Sequence, residues 1–212
     1  MSEADLRDAI CRYGRSLFER GLTSGSTGNI SVRTDDGGWL VTPTNASLGF
    51  LDPARLSKLD SNGRLLDGDA PTKEIPLHSA LYETRSNARA IVHLHSTHSV
   101  GVTMLPEIQD GGHLPPMTPY FVMKCGTPAI VPYYRPGDPK VADAIRGLAG
   151  KHSAVLLSNH GPVVAGKTLE AAVFATEELE ETAKLYLLLR GLNPRFLSPE
   201  QVQDLYDHFG NE

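Results

Sequence analysis

The sequence has no basic run and no apolar stretch near the roughly 18–20 residues that span a bilayer. The first absence counts against a nucleic-acid partner, which calls for a basic stripe or patch. The second leaves no candidate membrane helix. Only two cysteines are present, Cys11 and Cys125, far apart and outside any CxxC. They give no basis for a disulfide framework, and a reducing cytoplasm is the expected setting. The opening MSEADLRDAI is acidic and amphipathic, without the basic and apolar regions of a secretory signal. No GxGxxG or Walker sequence occurs, so no motif supports nucleotide binding. Internal repeats, low-complexity tracts and long linkers are missing as well.

What is there is an ordinary globular composition over 212 residues, with 40% hydrophobic and 21% charged residues. One domain over 1–212 is expected. The net charge of −5 means that an anionic substrate needs a local positive site. A metal, a lysine or a helix N-terminus could supply it.

Leu6, Ala9, Ile10, Tyr13 and Leu17 recur at helical spacing and predict a helix over 3–20. SGSTGNISVR reads as a turn entering a strand, and Asp36-Gly37-Gly38 as the turn to a second strand around WLVTP. A helix is expected from Lys73 to Arg85, followed by strands at 89–95 and 129–133. Asp138-Pro139 reads as N-cap and N1 of a helix through Leu148. Strands at 154–157 and 162–165 flank an Asn159-His160-Gly161 turn. A long helix covers 168–190, and Ser198 with Gln201 forms a capping box for the last helix. Hairpin-linked strands among helices predict a largely antiparallel sheet covered by helices, not a regular βαβ array.

The chemistry concentrates in IVHLHSTH. Side chains two apart on a strand point the same way, about 6–7 Å apart. His93 and His95 therefore face one point, with Val92 and Leu94 on the opposite side. The turn in SNHGPVV can lift His160 toward them. Three neutral imidazoles with an open fourth position make a catalytic zinc arrangement, although imidazole also suits other divalent transition metals. On spacing alone His78, His98 and His113 compete as ligands. His98 would face away if the strand continued. Glu74, near a helix start, is favoured there by the helix dipole. Beside a metal it could serve as general acid or base, or as a further ligand.

Three turns offer anion contacts: Ser26, Gly28 and Asn29 in the first, Thr44 and Asn45 in the second, Thr72 and Lys73 in the third. Each type is common as a plain turn or cap. Together near a metal they would form a phosphate pocket.

STGNISVR, VTPTNASLG, PTKEIPLH, AIVHLHSTHS and LLSNHGPVVAG, in this order, resemble the class II aldolase/adducin family over about residues 5–190. The resemblance implies an α/β/α fold with a central, mainly antiparallel sheet, and a homotetramer with sites near subunit interfaces. It implies zinc held by His93, His95 and His160, with Glu74 as the catalytic glutamate and a ligand when substrate is absent. It places phosphate contacts on Ser26, Gly28, Asn29, Thr44, Asn45, Thr72 and Lys73. Fuculose-type aldolases carry a small hydroxyl residue where Lys73 stands. LPPMTPYFVMKCG, IVPYYRPGDP and FATEELEETAKLYLLLRG resemble instead the branch that decarboxylates 3-oxo-tetronate 4-phosphates to dihydroxyacetone phosphate. The implied substrate is a small sugar-acid phosphate, and zinc is the Lewis acid for an enediolate. Glu74 would deliver the proton, Tyr120 would be a second proton relay or a substrate contact, and Lys73 would pair with the phosphate or the departing carboxylate. The alternatives are an aldolase, a dehydratase or epimerase, and a non-catalytic adducin-like module. The histidines and Glu74 argue against the last.

Overall fold

The computed structural model describes residues 1–109 and 111–210. Asp110, Asn211 and Glu212 of the expected 1–212 unit lie outside the described residues. The chain opens with helix α1 (Glu3–Glu19), then strands β1 (Asn29–Arg33), β2 (Trp39–Val41), β3 (Ser57–Leu59) and β4 (Leu65–Asp67). Helix α2 (Ile75–Thr84) leads to β5 (Ala90–His93), followed by α3 (Thr97–Val102), α4 (Pro106–Gln109) and α5 (Pro119–Cys125). Then come β6 (Ala129–Val131), α6 (Lys140–Gly147), β7 (Ala154–Leu157), β8 (Gly161–Gly166), α7 (Leu169–Leu189) and α8 (Pro199–Phe209).

The eight strands form one sheet in the order β4-β3-β2-β1-β5-β8-β7-β6. Every neighbouring pair is antiparallel except β6–β7. Alternation of side chains gives the sheet two apolar faces, each covered by helices. Ile91, Val155, Leu157 and Val163 pack with Leu77 and Leu81 of α2 and Ile145 of α6. On the other face Ile30, Val92 and Leu94 meet Ile10 and Leu17 of α1 and Val173 of α7, while Leu156 and Val164 meet Phe121 of α5 and Leu179 of α7. Each fully buried aliphatic or phenyl group stabilises the fold by about 1.5–3 kcal/mol. The result is the expected α/β/α arrangement around a mainly antiparallel sheet.

Helix ends follow local chemistry. Ser2 caps α1 in a reciprocal box with Asp5, Thr168 caps α7, and Ser198 with Gln201 forms the box expected for α8. At α6 the cap falls on Pro139, one residue later than expected, although Asp138 still accepts a bond from the Lys140 N–H at 3.0 Å. Other differences are larger, and α4 and α5 lie where no helix was expected. The hairpin β3–β4 lies where no strand was expected. Beyond β5 the chain turns at Ser96 into α3 and does not continue as a strand. His98 therefore sits on a helix, where its Nδ1 lies 2.8 Å from Glu180 of α7. Among the described residues no helix is long and apolar enough to cross a membrane.

Candidate metal centre and active site

The register gathers the site at one end of the sheet. Asn29, first in β1, pairs with His93, last in β5. His93 pairs in turn with Val163 of β8, and Leu157, last in β7, with Gly161, first in β8. The segment after β2 joins them, with Thr42 N–H donating to the Ile30 carbonyl at 3.0 Å. The turn before α2 comes alongside through Thr72 N–H to the Thr42 carbonyl at 3.3 Å. Glu74 thus stands at the mouth of α2, over the face that carries Ile91 and His93.

Two glycines make this approach possible. A Cβ on Gly28 would lie 2.8 Å from the His93 carbonyl oxygen, and one on Gly161 would lie 2.2 Å from that of Leu94. Both positions also have positive φ, 79° and 146°. Gly161 lets the turn holding His160 close onto the strand end that holds His93 and His95.

The three imidazoles point their Nε2 atoms at one spot. The His93–His95 separation is 3.2 Å and the His95–His160 separation 3.0 Å. Glu74 adds its oxygens at 3.3 Å from His93 and 3.4 Å from His160. A tetrahedron of donors about 2.0–2.1 Å from a zinc-sized ion has edges of about 3.3–3.4 Å. The donor spacing therefore fits a divalent metal. All four donor atoms lie within 4.8 Å of one another. The tautomer of His93 fits as well. Its Nδ1 lies 2.9 Å from the Pro162 carbonyl, which only accepts, so the proton sits on Nδ1 and Nε2 is left with its lone pair.

Electrostatics support the same assignment for His95 and His160. Burial, reinforced by the charge on His93, pushes His95 and His160 down to about 4. Both are neutral at pH 7, the ligating form. Burial works against the charge of Glu74. His93, the Asn29 amide at 2.7 Å and His160 outweigh it and hold the carboxyl below its usual range. For His93 burial opposes protonation, and Glu74 more than compensates.

The structure brings together His93, His95, His160, Glu74 and Asn29. Thr72 lies next to them, its hydroxyl accepting from the Glu74 N–H at 3.3 Å. Thr44 and Asn45 follow β2 on the same end of the sheet, Thr44 N–H donating to the Ala70 carbonyl at 2.9 Å. Lys73 is exposed, its Cβ close to Gly137. Ser26 is exposed on the turn before Gly28. Tyr120 is 61% exposed near the start of α5 and does not line the cleft beside Glu74. His113 joins no metal-type group among the described residues, and His78 is committed to other partners.

That cleft is walled by Leu77, Pro132, Tyr134, Arg135, Gly137 and His160 among others. Arg135 and Tyr134 carried no role in the sequence reading. No local signal marks them: they follow the strand at 129–131, and only its parallel pairing with β7 brings its end beside His160.

With this fold and site, the chain belongs to the class II aldolase and adducin family, since residues 8–187 match the Class II Aldolase and Adducin N-terminal domain. More particularly, it is 50% identical over 203 residues to 3-oxo-tetronate 4-phosphate decarboxylase of Cupriavidus necator, covering 96% of this chain and 93% of that one. It is 33% identical to L-fuculose phosphate aldolase of Haemophilus influenzae, covering 99% and 95%. The crystal structure of YgbL from Klebsiella pneumoniae superposes with a TM-score of 0.93 at 44% identity, covering 97% of this chain and 99% of that one. The chain is a carbon–carbon lyase.

Proposed function

We propose that this protein converts a 3-oxo-tetronate 4-phosphate to dihydroxyacetone phosphate and carbon dioxide, with zinc as its metal. The observation that carries the proposal is the His93–His95–His160–Glu74 group opening on a cleft that has Arg135 in its wall and Lys73 beside it. A metal centre flanked by two cations suits a substrate that bears both a phosphate and a carboxylate. The 50% identity to a decarboxylase of that name supports the same reading.

His93, His95 and His160 would hold the metal, which supplies Lewis-acid stabilisation of the negative charge left when the bond breaks. The C1–C2 bond breaks, its electron pair moves toward the C3 ketone, and carbon dioxide leaves. C2 then takes a proton. Glu74, directly or through one water, is the group placed to pass it. Ser26, Gly28, Asn29, Thr44, Asn45, Thr72 and Lys73 would hold the phosphate end and fix the orientation of C1–C2. Arg135 is a candidate for the carboxylate. Tyr120 enters this reading only through a neighbouring subunit of a cytoplasmic homotetramer.

The second reading, aldol cleavage, draws on the 33% identity to a fuculose phosphate aldolase. Assay of the metal-loaded protein with the 3-oxo acid phosphate separates the two. Equal yields of carbon dioxide and dihydroxyacetone phosphate support decarboxylation, whereas cleavage of fuculose 1-phosphate without action on the 3-oxo acid supports the aldolase.

A further inference from the structure

His78, Ser31 and Tyr82 are fully or almost fully buried and hydrogen-bonded to one another, and the reaction outlined above uses none of them. His78 Nδ1 lies 2.7 Å from Ser31 Oγ, and Ser31 Oγ lies 2.9 Å from Tyr82 Oη. On the other side of the ring, His78 Nε2 lies 2.5 Å from Asn29 Oδ1. Asn29 Nδ2–H then donates to Glu74 at 2.7 Å. The five groups form one continuous chain from the core to the carboxylate.

Hydrogen-bond chemistry fixes the direction of this chain. The Asn29 amide gives its N–H side to Glu74, so its oxygen faces His78 and can only accept. His78 must therefore carry its proton on Nε2. Its Nδ1 then accepts from the Ser31 hydroxyl, which in turn accepts from Tyr82. Every proton points toward Glu74. Were the His78 proton on Nδ1, Asn29 Oδ1 would face a lone pair. The amide could then satisfy the ring only by turning over, which would set its oxygen against the carboxylate.

We infer that His78 is a positioning residue: acting through Asn29, it holds the Glu74 carboxylate in the orientation that proton transfer needs. The inference rests on the reading of Glu74 as the proton carrier. It assigns the ring a task that neither packing nor metal binding requires. Asn29 stands one step from the metal group and His78 two, and loss of such supporting partners changes activity by up to about 10–100-fold.

Two replacements separate positioning from support of the fold. A glutamine amide nitrogen reaches about where Nε2 stands and can donate to Asn29. An asparagine amide reaches only about where Nδ1 stands and can serve Ser31 alone. His78→Asn is expected to lower kcat by about 10–100-fold with KM and metal content unchanged, and His78→Gln to restore most of the loss. Equal activity in the two variants, or a rise in KM with kcat unchanged, overturns the assignment. Nitrogen NMR of the histidine-labelled wild-type protein gives a reading that needs no variant to fold and no turnover. A neutral His78 protonated on Nε2 supports the chain, and one protonated on Nδ1 overturns it. Deuterium exchange into dihydroxyacetone phosphate in heavy water reads the same proton transfer for an aldolase or a decarboxylase. A protein inert toward the 3-oxo acid but active in this exchange ends the decarboxylase reading, while the Asn-against-Gln comparison still decides the role of His78.

Discussion

His95 and His160 bring their Nε2 atoms to 3.0 Å across 65 residues of chain. Two neutral imidazoles that both aim lone pairs at so short a distance repel each other, and a cation between them removes the repulsion. His95→Ala leaves two imidazoles and Glu74. Metal measured by plasma emission in the purified variant should fall well below one per subunit, with turnover lost. Wild-type metal content in that variant would remove His95 from the ligand set.

Glu74 is predicted to matter for the proton more than for holding the metal. Glu74→Gln preserves shape and a hydrogen-bonding oxygen but cannot carry the proton. Its kcat should drop by about 10²–10⁴-fold, with metal retained by the three histidines. Steady-state kinetics alongside metal analysis checks both halves. An enzyme of normal kcat would leave proton delivery without a group.

Lys73 is exposed beside Gly137 of the cleft wall and makes no ion pair among the described residues, so its charge is available to a substrate anion. Lys73→Ser removes the charge and keeps a small polar side chain. Loss of one charge-assisted hydrogen bond costs about 1.5–3 kcal/mol, so KM should rise roughly 10–150-fold. A pure KM effect places the lysine on the phosphate, and a fall in kcat places it at the carboxylate. Unchanged kinetics would return it to the solvent.

His78 also predicts the acid limb of stability. Burial, with a further push from His93, lowers its pKa from 6.5 to about 3, against an opposing pull from Glu74. The unfolded chain binds the proton near pH 6.5 and the folded chain does not. Stability is therefore full above 6.5 and falls as pH drops toward 3, by roughly 1.4 kcal/mol per unit. His95 and His160 add to the slope in metal-free protein. Urea midpoints of metal-free wild type and His78→Gln between pH 7 and 5 should differ in slope by about one proton. Parallel limbs would mean that His78 takes up its proton in the folded state.

The clustered histidines were legible because strand alternation and a turn glycine are local signals. His93 and His95 needed only the period of a strand, while the Asn-His-Gly turn made His160 a candidate and the family resemblance set it above His78, His98 and His113. The long helix and the capping box of α8 were legible for the same reason. What escaped depends on distant partners. The start of α3 is fastened by Glu180, which accepts from the His98 and Ser99 N–H groups at 2.9 and 2.8 Å. Those bonds span 82 and 81 residues, so nothing beside His98 announces that the strand has ended. In β4, Leu65 and Leu66 are both exposed, so no alternation marks the strand. The link between His78 and Asn29 spans 49 residues. On the sequence His78 was one competing ligand among several. Arg135 was hidden differently, since its position depends on which strand end lies beside His160.

The central claim is that the bond broken lies between the carboxyl carbon and C2. Carbon NMR of metal-loaded protein given 3-oxo-tetronate 4-phosphate labelled at C1 tests it most directly. The account predicts that the C1 signal passes wholly into carbon dioxide and bicarbonate while unlabelled dihydroxyacetone phosphate accumulates in equal amount. Label that stays in an organic product, or a substrate left intact by fully metal-loaded enzyme, would contradict it.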